Sequence, residues 1–209
     1  ARDRAEPGTA RDRGTTGTAR DRGTTGTARD RALGCFLGLA VGDALGTTVE
    51  FRARGTFAPV TGLVGGGPFR LAPGQWTDDT SMAICLAESL LHDPALDPAD
   101  LMARFLRWWR QGENSSTGEC FDIGNATRAA LARFERSGEP LAGDPSPNAA
   151  GNGSVMRLAP VALRHWRAPR RAEGVAERQS ACTHATPVAI AGCALLAEVL
   201  CGLIAGQGK

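Results

Sequence analysis

A chain of 209 residues with 42% hydrophobic and 22% charged side chains is long enough for one globular domain with a sizeable core. Its formal net charge of +2 arises within residues 1–27, where six arginines face four acidic residues, and the 18 basic and 18 acidic residues that remain cancel. This balance excludes the broad basic surface of a nucleic-acid groove. Abundant Ala and Leu and the absence of Tyr favour an all-α protein.

Residues 1–27 form three copies of a nine-residue repeat, ARDRAEPGT and then ARDRGTTGT twice. Because no copy offers a residue for a core, we predict a disordered tail over 1–27 and a folded domain over 28–209. The polar N-terminus lacks the apolar segment of a signal peptide, which predicts a cytoplasmic protein. The six cysteines show no CxxC spacing, so we expect reduced side chains that pack as small hydrophobes.

The first predicted helix opens the domain at about Arg29, with apolar residues at helical spacing up to Leu45. Small residues recur every four positions and would let a neighbouring helix approach closely: Gly34, Gly38, Gly42 and Gly46. Asp30, Arg31 and Asp43 bound a stretch too short to span a membrane. The pattern therefore predicts a buried helix.

Further helices follow at intervals along the chain. A Gly- and Pro-rich loop over 46–76 precedes an amphipathic helix from Asp78 to Leu91, and Asp97 is typical of the N-terminal cap of the next helix. Periodicity then predicts helices over Gly124–Glu135, Ser154–His165 and Ala172–Cys182. The most apolar stretch, Thr186–Ala205, contains Glu198, which favours a buried core helix over a membrane span. No segment carries a strong strand signal.

The densest local motif is Trp76-Thr77-Asp78-Asp79-Thr80, at the junction of the long loop and the second helix. One interpretation is a helix cap, with Thr77 capping and two carboxylates in the first turn favoured by the helix dipole. The other is a site for Mg²⁺ or Mn²⁺, which prefer hard oxygen ligands. Taken alone, the motif favours the cap.

Two further segments bear on that choice. Glu50 follows the first helix in a Gly- and Thr-rich loop, as a solvated acid or as part of a site. In Gly151-Asn152-Gly153-Ser154, two glycines before a predicted helix would expose backbone N–H groups suited to a phosphate, or form a tight turn with a Ser cap. Arg157, just beyond, could meet a phosphate or form a structural ion pair.

Five ordered strings resemble the ADP-ribosylglycohydrolase family: GDALGTTVEF, GQWTDDTSMA, FDIGNAT, GNGSVMRLAP and THATPVAIAG. The resemblance covers roughly residues 29–206. It implies an all-α orthogonal multi-helix array that holds two Mg²⁺ or Mn²⁺ ions. It also implies hydrolysis of the glycosidic bond between ADP-ribose and an acceptor such as arginine, on an ADP-ribosylated protein or a small ADP-ribose conjugate, without nucleic-acid or membrane partners.

The same resemblance assigns roles to ten residues. The metal ligands would be Thr77, Asp78 and Asp79. Glu50 would lie at the metals as a ligand or an acid/base group, and Asp122 would be the proton donor. The substrate-binding residues would be Asn125 near the ribose, Asn152, Gly153 and Ser154 beside the diphosphate, and His184 near the nucleotide.

The sequence departs from the family's pattern in one respect. Members carry a late Asp-x-Asp-Thr/Ser element that completes the metal site, and this sequence contains no Asp-x-Asp triplet. We therefore expect a C-terminally truncated domain with weak metal binding and slow turnover, and an apolar last helix that promotes self-association. The alternatives are a catalytically inactive ADP-ribose-binding module, and a structural helical domain in which the acidic pair only caps a helix.

Overall fold

The computed structural model describes residues 26–207, and across that range it is helical without a β-strand. The helices are α1 (Ala28–Gly46), α2 (Asp78–His92), α3 (Pro98–Gln111), α4 (Asn125–Ser137), α5 (Gly153–Met156), α6 (Ala159–His165), α7 (Pro169–Ala181) and α8 (Pro187–Ala205). Short 3₁₀ turns occupy Thr47–Val49 and Pro147–Ala149. The predicted all-α class is confirmed.

The predicted disordered tail lies outside the described residues, apart from its last two positions. Thr27 is one of them, and it forms a capping box with Asp30: the Thr27 hydroxyl accepts the Asp30 amide at 3.2 Å, and the Asp30 carboxylate accepts the Thr27 amide at 2.8 Å. Helix α1 therefore begins directly after this cap.

The core is built between α2, α3, α6, α7 and α8. Its largest fully buried apolar side chains include Phe105 and Trp108 of α3, Leu86 of α2 and Leu131 of α4. Burying an aromatic side chain of this size stabilises the folded state by about 3 kcal/mol, so α3 anchors the array through its two aromatic rings. All six cysteines are free, and Cys85, Cys182, Cys193 and Cys201 are buried as small hydrophobes.

One helix that was predicted as continuous is interrupted in the structure. The segment Ser154–His165 is divided into α5 and α6, with Arg157 and Leu158 between them. Pro160 lacks an N–H donor, and its ring would clash with the carbonyl of Met156 in a continuous helix. The break positions Arg157 so that its side chain turns inwards, where it is completely buried.

The predicted burial of α1 is also wrong. Ala44 is the one residue of this helix classed as buried, while Leu33, Leu37 and Val41 are exposed. A Cβ atom built at Gly34, Gly38 or Gly42 would meet no atom within 4 Å. The glycine spacing is therefore not used for close helix packing in this structure.

The predicted core helix α8 is half-buried. Its buried stripe is Ala189, Cys193, Ala197, Cys201 and Ile204, whereas Val188, Leu195, Val199 and Leu203 are exposed. By length and composition, Ala28–Val49 and Pro187–Ala205 could each cross a membrane, with mean hydropathies of 1.5 and 2.3. Core helices of soluble proteins and signal sequences pass the same test, so this evidence is weak. The absence of a membrane partner stays a prediction.

Candidate functional site

A cavity of about 760 Å³ lies where the ends of several helices meet. One side is formed by the end of α1, the following 3₁₀ turn and the first turn of α2; the other by the start of α4, the turn before α5 and the segment before α8. Nine of the ten predicted site residues line it: Glu50, Thr77, Asp78, Asp79, Asp122, Asn125, Asn152, Gly153 and His184. Residues far apart in sequence are thus brought to one cavity.

The first turn of α2 is capped from another helix. Thr77 occupies the N-cap position without a capping bond from its own side chain. Instead, the Asp43 carboxylate of α1 accepts the Thr77 amide at 3.0 Å and the Thr80 amide at 3.1 Å. The hydroxyls of Thr77 and Thr80 donate to the same carboxylate at 2.7 Å and 2.6 Å. The prediction that the Thr77 side chain caps the helix is wrong, because Asp43 has that function.

Asp43 also lines the cavity, and the sequence analysis assigned it no role. A signal was present: Asp43 is the one charged residue between Arg31 and Glu50, in a segment otherwise composed of apolar residues, Gly and Thr. A charge in such a segment needs a polar partner when the helix packs. The partner lies 34 positions away, so local pattern alone could not identify it.

The two aspartates of α2 are mostly buried beside other acids. Burial raises the pKa of Asp78 to about 8, assisted by the negative charges of Asp79, Asp122 and Asp43. Burial also raises the pKa of Asp79 to about 6, together with the charges of Asp43 and Glu50. Without a counterion, the fold therefore disfavours full ionisation of this pair.

Glu50 and Asp122 face each other across the acidic side of the cavity. Burial raises the pKa of Asp122 to about 7, with contributions from the charge of Glu50 and from a hydrogen bond to it. Burial likewise raises the pKa of Glu50, while the nearby Thr47 hydroxyl, 3.5 Å from Oε2, opposes the shift. Asp122 has a φ of 55°, a left-handed conformation that is uncommon outside glycine and frequent at functional sites.

No lysine or arginine lines this cavity among the described residues. Arg157 lies behind it, but its guanidinium donates to the Gln179 side chain at 2.8 Å and to the Thr183 hydroxyl at 2.8 Å, over the Phe105 ring. Arg157 therefore forms neither the phosphate contact nor the ion pair considered from the sequence. The acidic cluster is left without a hydrogen-bonded cation.

This donor set can be tested against a divalent metal ion. Its chemistry fits, because buried and mutually repelling carboxylates next to a threonine hydroxyl are hard oxygen donors that a cation would stabilise. The count fits less well: across residues 26–207, no three His, Cys, Asp or Glu side chains are grouped closely enough to hold one ion. The donor atoms therefore suit a cation in kind, but in the described part of the chain they do not form a complete set of ligands.

The opposite side of the cavity is neutral and rich in backbone amides. Gly124 occupies the N-cap position of α4 and has no side chain that could accept a hydrogen bond. The first amides of α4, at Asn125, Ala126 and Thr127, therefore have no side-chain cap, and these three residues line the cavity. Such amides, at the positive end of a helix dipole, suit an anionic oxygen. Oxygen atoms of a phosphate would find donors here without a basic side chain.

Gly151 and Gly153 complete that side by packing against His184. A Cβ atom at Gly151 would lie 3.1 Å from His184 Cδ2, and one at Gly153 would lie 3.0 Å from Cε1, so a side chain at either position would press on the ring. Nδ1 of His184 lies 2.8 Å from the Thr183 hydroxyl. Burial, together with the charge of Arg157, lowers the pKa of His184 to about 4, which keeps the ring neutral.

Ser154 is the predicted site residue that the structure does not place on the cavity. Its side chain is fully buried, and its hydroxyl lies 2.8 Å from the Ser180 hydroxyl. The Gln179 amide donates to the Ser154 carbonyl at 3.0 Å. Ser154 therefore holds the turn of Gly151–Gly153 from behind.

Comparison with known proteins gives one consistent result. A sequence profile described as ADP-ribosylglycohydrolase matches residues 24–209. The ADP-ribosylarginine hydrolase Tri1 of Serratia proteamaculans is 46% identical over 178 residues, which cover 85% of this chain and 48% of that protein. The ADP-ribosyl-[dinitrogen reductase] glycohydrolase of Rhodospirillum rubrum is 40% identical over 181 residues, 85% of this chain and 59% of that protein.

A solved structure described as an ADP-ribosylglycohydrolase-related protein complex superposes with a TM-score of 0.76 at 46% identity. The match covers 87% of this chain and 58% of that one. The chain thus spans about half the length of the curated relatives that it matches.

Proposed function

Because this chain belongs to the ADP-ribosylglycohydrolase family, we propose that it hydrolyses the glycosidic bond between ADP-ribose and an acceptor such as an arginine side chain. The substrate would be an ADP-ribosylated protein or a small ADP-ribose conjugate, met in the cytoplasm. Two of the similar proteins are named for hydrolysis of this kind of linkage, one of them on arginine. The chain covers about half of each, so the activity is a proposal for this chain.

The observation that carries the proposal is that one cavity is lined both by an acidic cluster and by backbone amides. Asp79, Glu50 and Asp122 belong to the cluster, and the amides are those at the start of α4 and at Gly153. ADP-ribose has the matching polarity, with a diphosphate at its centre and a reactive ribose carbon at one end. The cavity volume lies in the range that encloses ligands of this size.

The chemistry requires one proton transfer at the bond that breaks. Water adds to the ribose carbon, the carbon–nitrogen bond to the acceptor breaks, and the acceptor nitrogen takes a proton. We propose that Asp122 donates that proton and that Glu50 receives one from the attacking water. Both line the cavity, and the raised pKa of Asp122, about 7, supports a protonated donor near neutral pH.

We propose that Thr77, Asp78 and Asp79 hold Mg²⁺ or Mn²⁺, with Glu50 nearby. A bound divalent ion would activate water and orient the ribose hydroxyls. The Thr77 hydroxyl donates its proton to Asp43, which leaves its oxygen lone pairs free for a cation. Since these residues provide part of a shell, we infer weak metal binding and slow turnover for this chain on its own.

The substrate would be held by neutral groups. Asn125 would meet the ribose, Asn152 and Gly153 the diphosphate, and the neutral His184 ring the nucleotide. Because none of these groups depends on a metal ion, a second candidate function is an ADP-ribose-binding module without catalysis.

One experiment separates the two functions. The purified chain is incubated with an arginine-ADP-ribosylated protein, with Mg²⁺ or Mn²⁺ and with a chelator, and released ADP-ribose is measured by chromatography. ADP-ribose binding is measured in parallel by calorimetry. Slow, metal-dependent release supports the glycohydrolase, and metal-independent binding without release supports the binding module. If the chain neither releases nor binds ADP-ribose, both functions are overturned. Fast release contradicts the inference of weak metal binding.

A further inference from the structure

Phe51 has an unusual position at the mouth of the cavity. It follows Glu50 directly, lines the cavity, and leaves 80% of its surface exposed. Its φ is 60°, in the left-handed region that bulky side chains avoid. The exposed ring contributes little burial energy, and the strained backbone lowers stability further. Such strain is concentrated at functional sites. Packing in the core does not explain this residue.

The Phe51 ring is the outermost of a row of three aromatic rings. Its centroid lies 6.4 Å from that of Phe69 at an interplanar angle of 73°, an edge-to-face contact. The Phe69 ring in turn lies 5.3 Å from that of Phe121, the residue before Asp122. This row of rings, Phe51–Phe69–Phe121, links the loop that carries Glu50 to the loop that carries Asp122. It therefore fixes an aromatic surface beside both candidate acid/base groups.

The electrostatic setting selects the kind of group that would lie against this surface. The face of a phenyl ring is negative, and the adjacent cavity side carries Glu50, Asp79 and Asp122. No Lys or Arg side chain lines the cavity in residues 26–207, and the His184 ring is neutral. A planar cation gains from both the ring and the carboxylates, whereas a diphosphate would be repelled here and attracted to the α4 amides opposite.

We propose that Phe51 is a specificity-determining residue that stacks on the planar cationic acceptor, the guanidinium of ADP-ribosylated arginine, at the mouth of the cavity. This inference rests on the proposed function, since it concerns the acceptor end of the same substrate. The ring accepts the guanidinium while the ribose lies deeper, between Asp122 and the first turn of α2. Neutral acceptors such as a serine hydroxyl gain nothing from the contact.

The test compares two ligands on matched variants. Calorimetry in the presence of a chelator gives the affinities of ADP-ribosylarginine and of free ADP-ribose for the wild-type chain, Phe51→Leu and Phe51→Trp. Leu keeps an apolar side chain and removes the ring, and Trp offers a stronger cation–π partner. Phe57→Leu is the control, because Phe57 lies in the same loop outside the cavity, against Arg52. Thermal melting confirms that each variant is folded.

We expect Phe51→Leu to bind ADP-ribosylarginine about two- to five-fold more weakly, the change typical of an exposed cation–π contact, and to bind ADP-ribose unchanged. Phe51→Trp should bind the arginine conjugate at least as tightly as the wild type, and Phe57→Leu should match the wild type for both ligands. Equal weakening for both ligands would assign the ring to the nucleotide and overturn the inference, as would unchanged affinities. A wild-type chain that binds neither ligand overturns the inference, and the proposed function falls with it only if the chain also releases no ADP-ribose with Mg²⁺ or Mn²⁺.

Discussion

The Asp43 carboxylate of α1 accepts both the amide and the hydroxyl of Thr77, at 3.0 Å and 2.7 Å, and so substitutes for a side-chain cap at the start of α2. This contact joins α1 to the acidic first turn of α2. It also directs the proton of the Thr77 hydroxyl towards Asp43, at the edge of the cavity that Thr77 lines. One carboxylate thus serves both the stability of a helix and the geometry of the candidate site.

The first prediction concerns that carboxylate. Asp43→Ala removes the acceptor for two amides and two hydroxyls of α2, so we expect the free energy of unfolding to fall by about 2 kcal/mol. The Mn²⁺ affinity should fall as well, because Thr77 loses its orientation. Urea denaturation and metal titration measure the two effects. Asp97→Ala is the control: it removes the single-bond cap of α3, 2.8 Å from the Ala99 amide, and should cost about 1 kcal/mol without affecting Mn²⁺. If Asp43→Ala left the Mn²⁺ affinity unchanged, as Asp97→Ala should, the function of Asp43 would be limited to capping.

The second prediction separates metal binding from capping at the acidic pair. Asp78→Asn and Asp79→Asn each replace a buried acid, whose ionisation the neighbouring acids disfavour, with a neutral amide, so we expect the metal-free melting temperature to rise or stay unchanged. Excess Mn²⁺ should raise the melting temperature of the wild type and leave both variants unaffected. The control is Glu177→Gln on the exposed face of α7. Pure capping would instead give a loss of about 1 kcal/mol and an unaltered response to Mn²⁺.

The third prediction tests the acid/base pair. Glu50→Gln and Asp122→Asn keep the shape of the cavity but cannot exchange protons, so we expect ADP-ribose release to fall at least about 100-fold. Binding of ADP-ribose should be retained, since it depends on the opposite side of the cavity. Release is followed by chromatography over many wild-type turnovers, with Glu139→Gln on the surface as the control. Retained hydrolysis in both variants would exclude this pair from proton transfer.

Much of the fold was predictable because its signals are local. Asp97 and Pro98 set the start of α3, and Thr186 and Pro187 set the start of α8, at positions that the chain itself specifies. The faces of the helices were not predictable in the same way. The apolar pattern of α1 indicated burial, but which neighbours pack on a helix depends on the whole array and not on its own periodicity.

The candidate site, like the fold, was predictable only in part. The resemblance to a known family assigned Glu50, Asp79 and Asp122 to one site, and the structure brings them to one cavity. Asp43 was missed because its partners lie 34 and 37 residues away, and Ser154 was assigned to the substrate although its side chain points into the core. A residue type and its spacing do not reveal which side of a turn faces the cavity.

The fourth prediction follows from the buried neutral His184. Its pKa is lowered from 6.5 to about 4 in the folded state, so the unfolded state binds the proton more tightly. The stabilisation from its neutral form is therefore fully present above about pH 6.5 and is lost as the pH falls towards 4. Between pH 7 and pH 4, the unfolding free energy of the wild type should fall relative to His184→Gln by about 3 kcal/mol.

Urea denaturation at a series of pH values measures this difference. The unfolding free energy of the wild type must be compared with that of the variant at each pH. Asp78 and Asp122, whose pKa values are raised, increase stability as the pH falls over the same range and would otherwise mask the effect. His92→Gln on the surface is the control and should not separate from the wild type. A pH-independent difference for His184→Gln would mean that the buried ring gains a proton without cost.

The fifth prediction concerns the exposed apolar stripes of α1 and α8. The Arg31 side chain at the start of α1 donates to the Ile204 carbonyl at the end of α8, 2.9 Å away, so the two helices are in contact. Each carries a stripe of exposed apolar side chains: Leu33, Leu37 and Val41 on α1, and Leu203, Val199 and Leu195 on α8. We call them the α1/α8 surface. Single exposed apolar residues are common on soluble proteins, but a contiguous patch favours association.

We therefore expect the chain to self-associate through the α1/α8 surface as its concentration rises, as the sequence analysis expected for the last helix. Leu37→Lys combined with Val199→Lys introduces two charges that would have to be buried in any contact there, so the double variant should stay monomeric in sedimentation velocity at concentrations where the wild type does not. Leu91→Lys is the matched control, because Leu91 is also exposed but lies at the end of α2, outside the two stripes. If Leu91→Lys relieves association as well as the double variant does, general hydrophobicity and not this surface causes it, and a monomeric wild type at high concentration contradicts the prediction altogether.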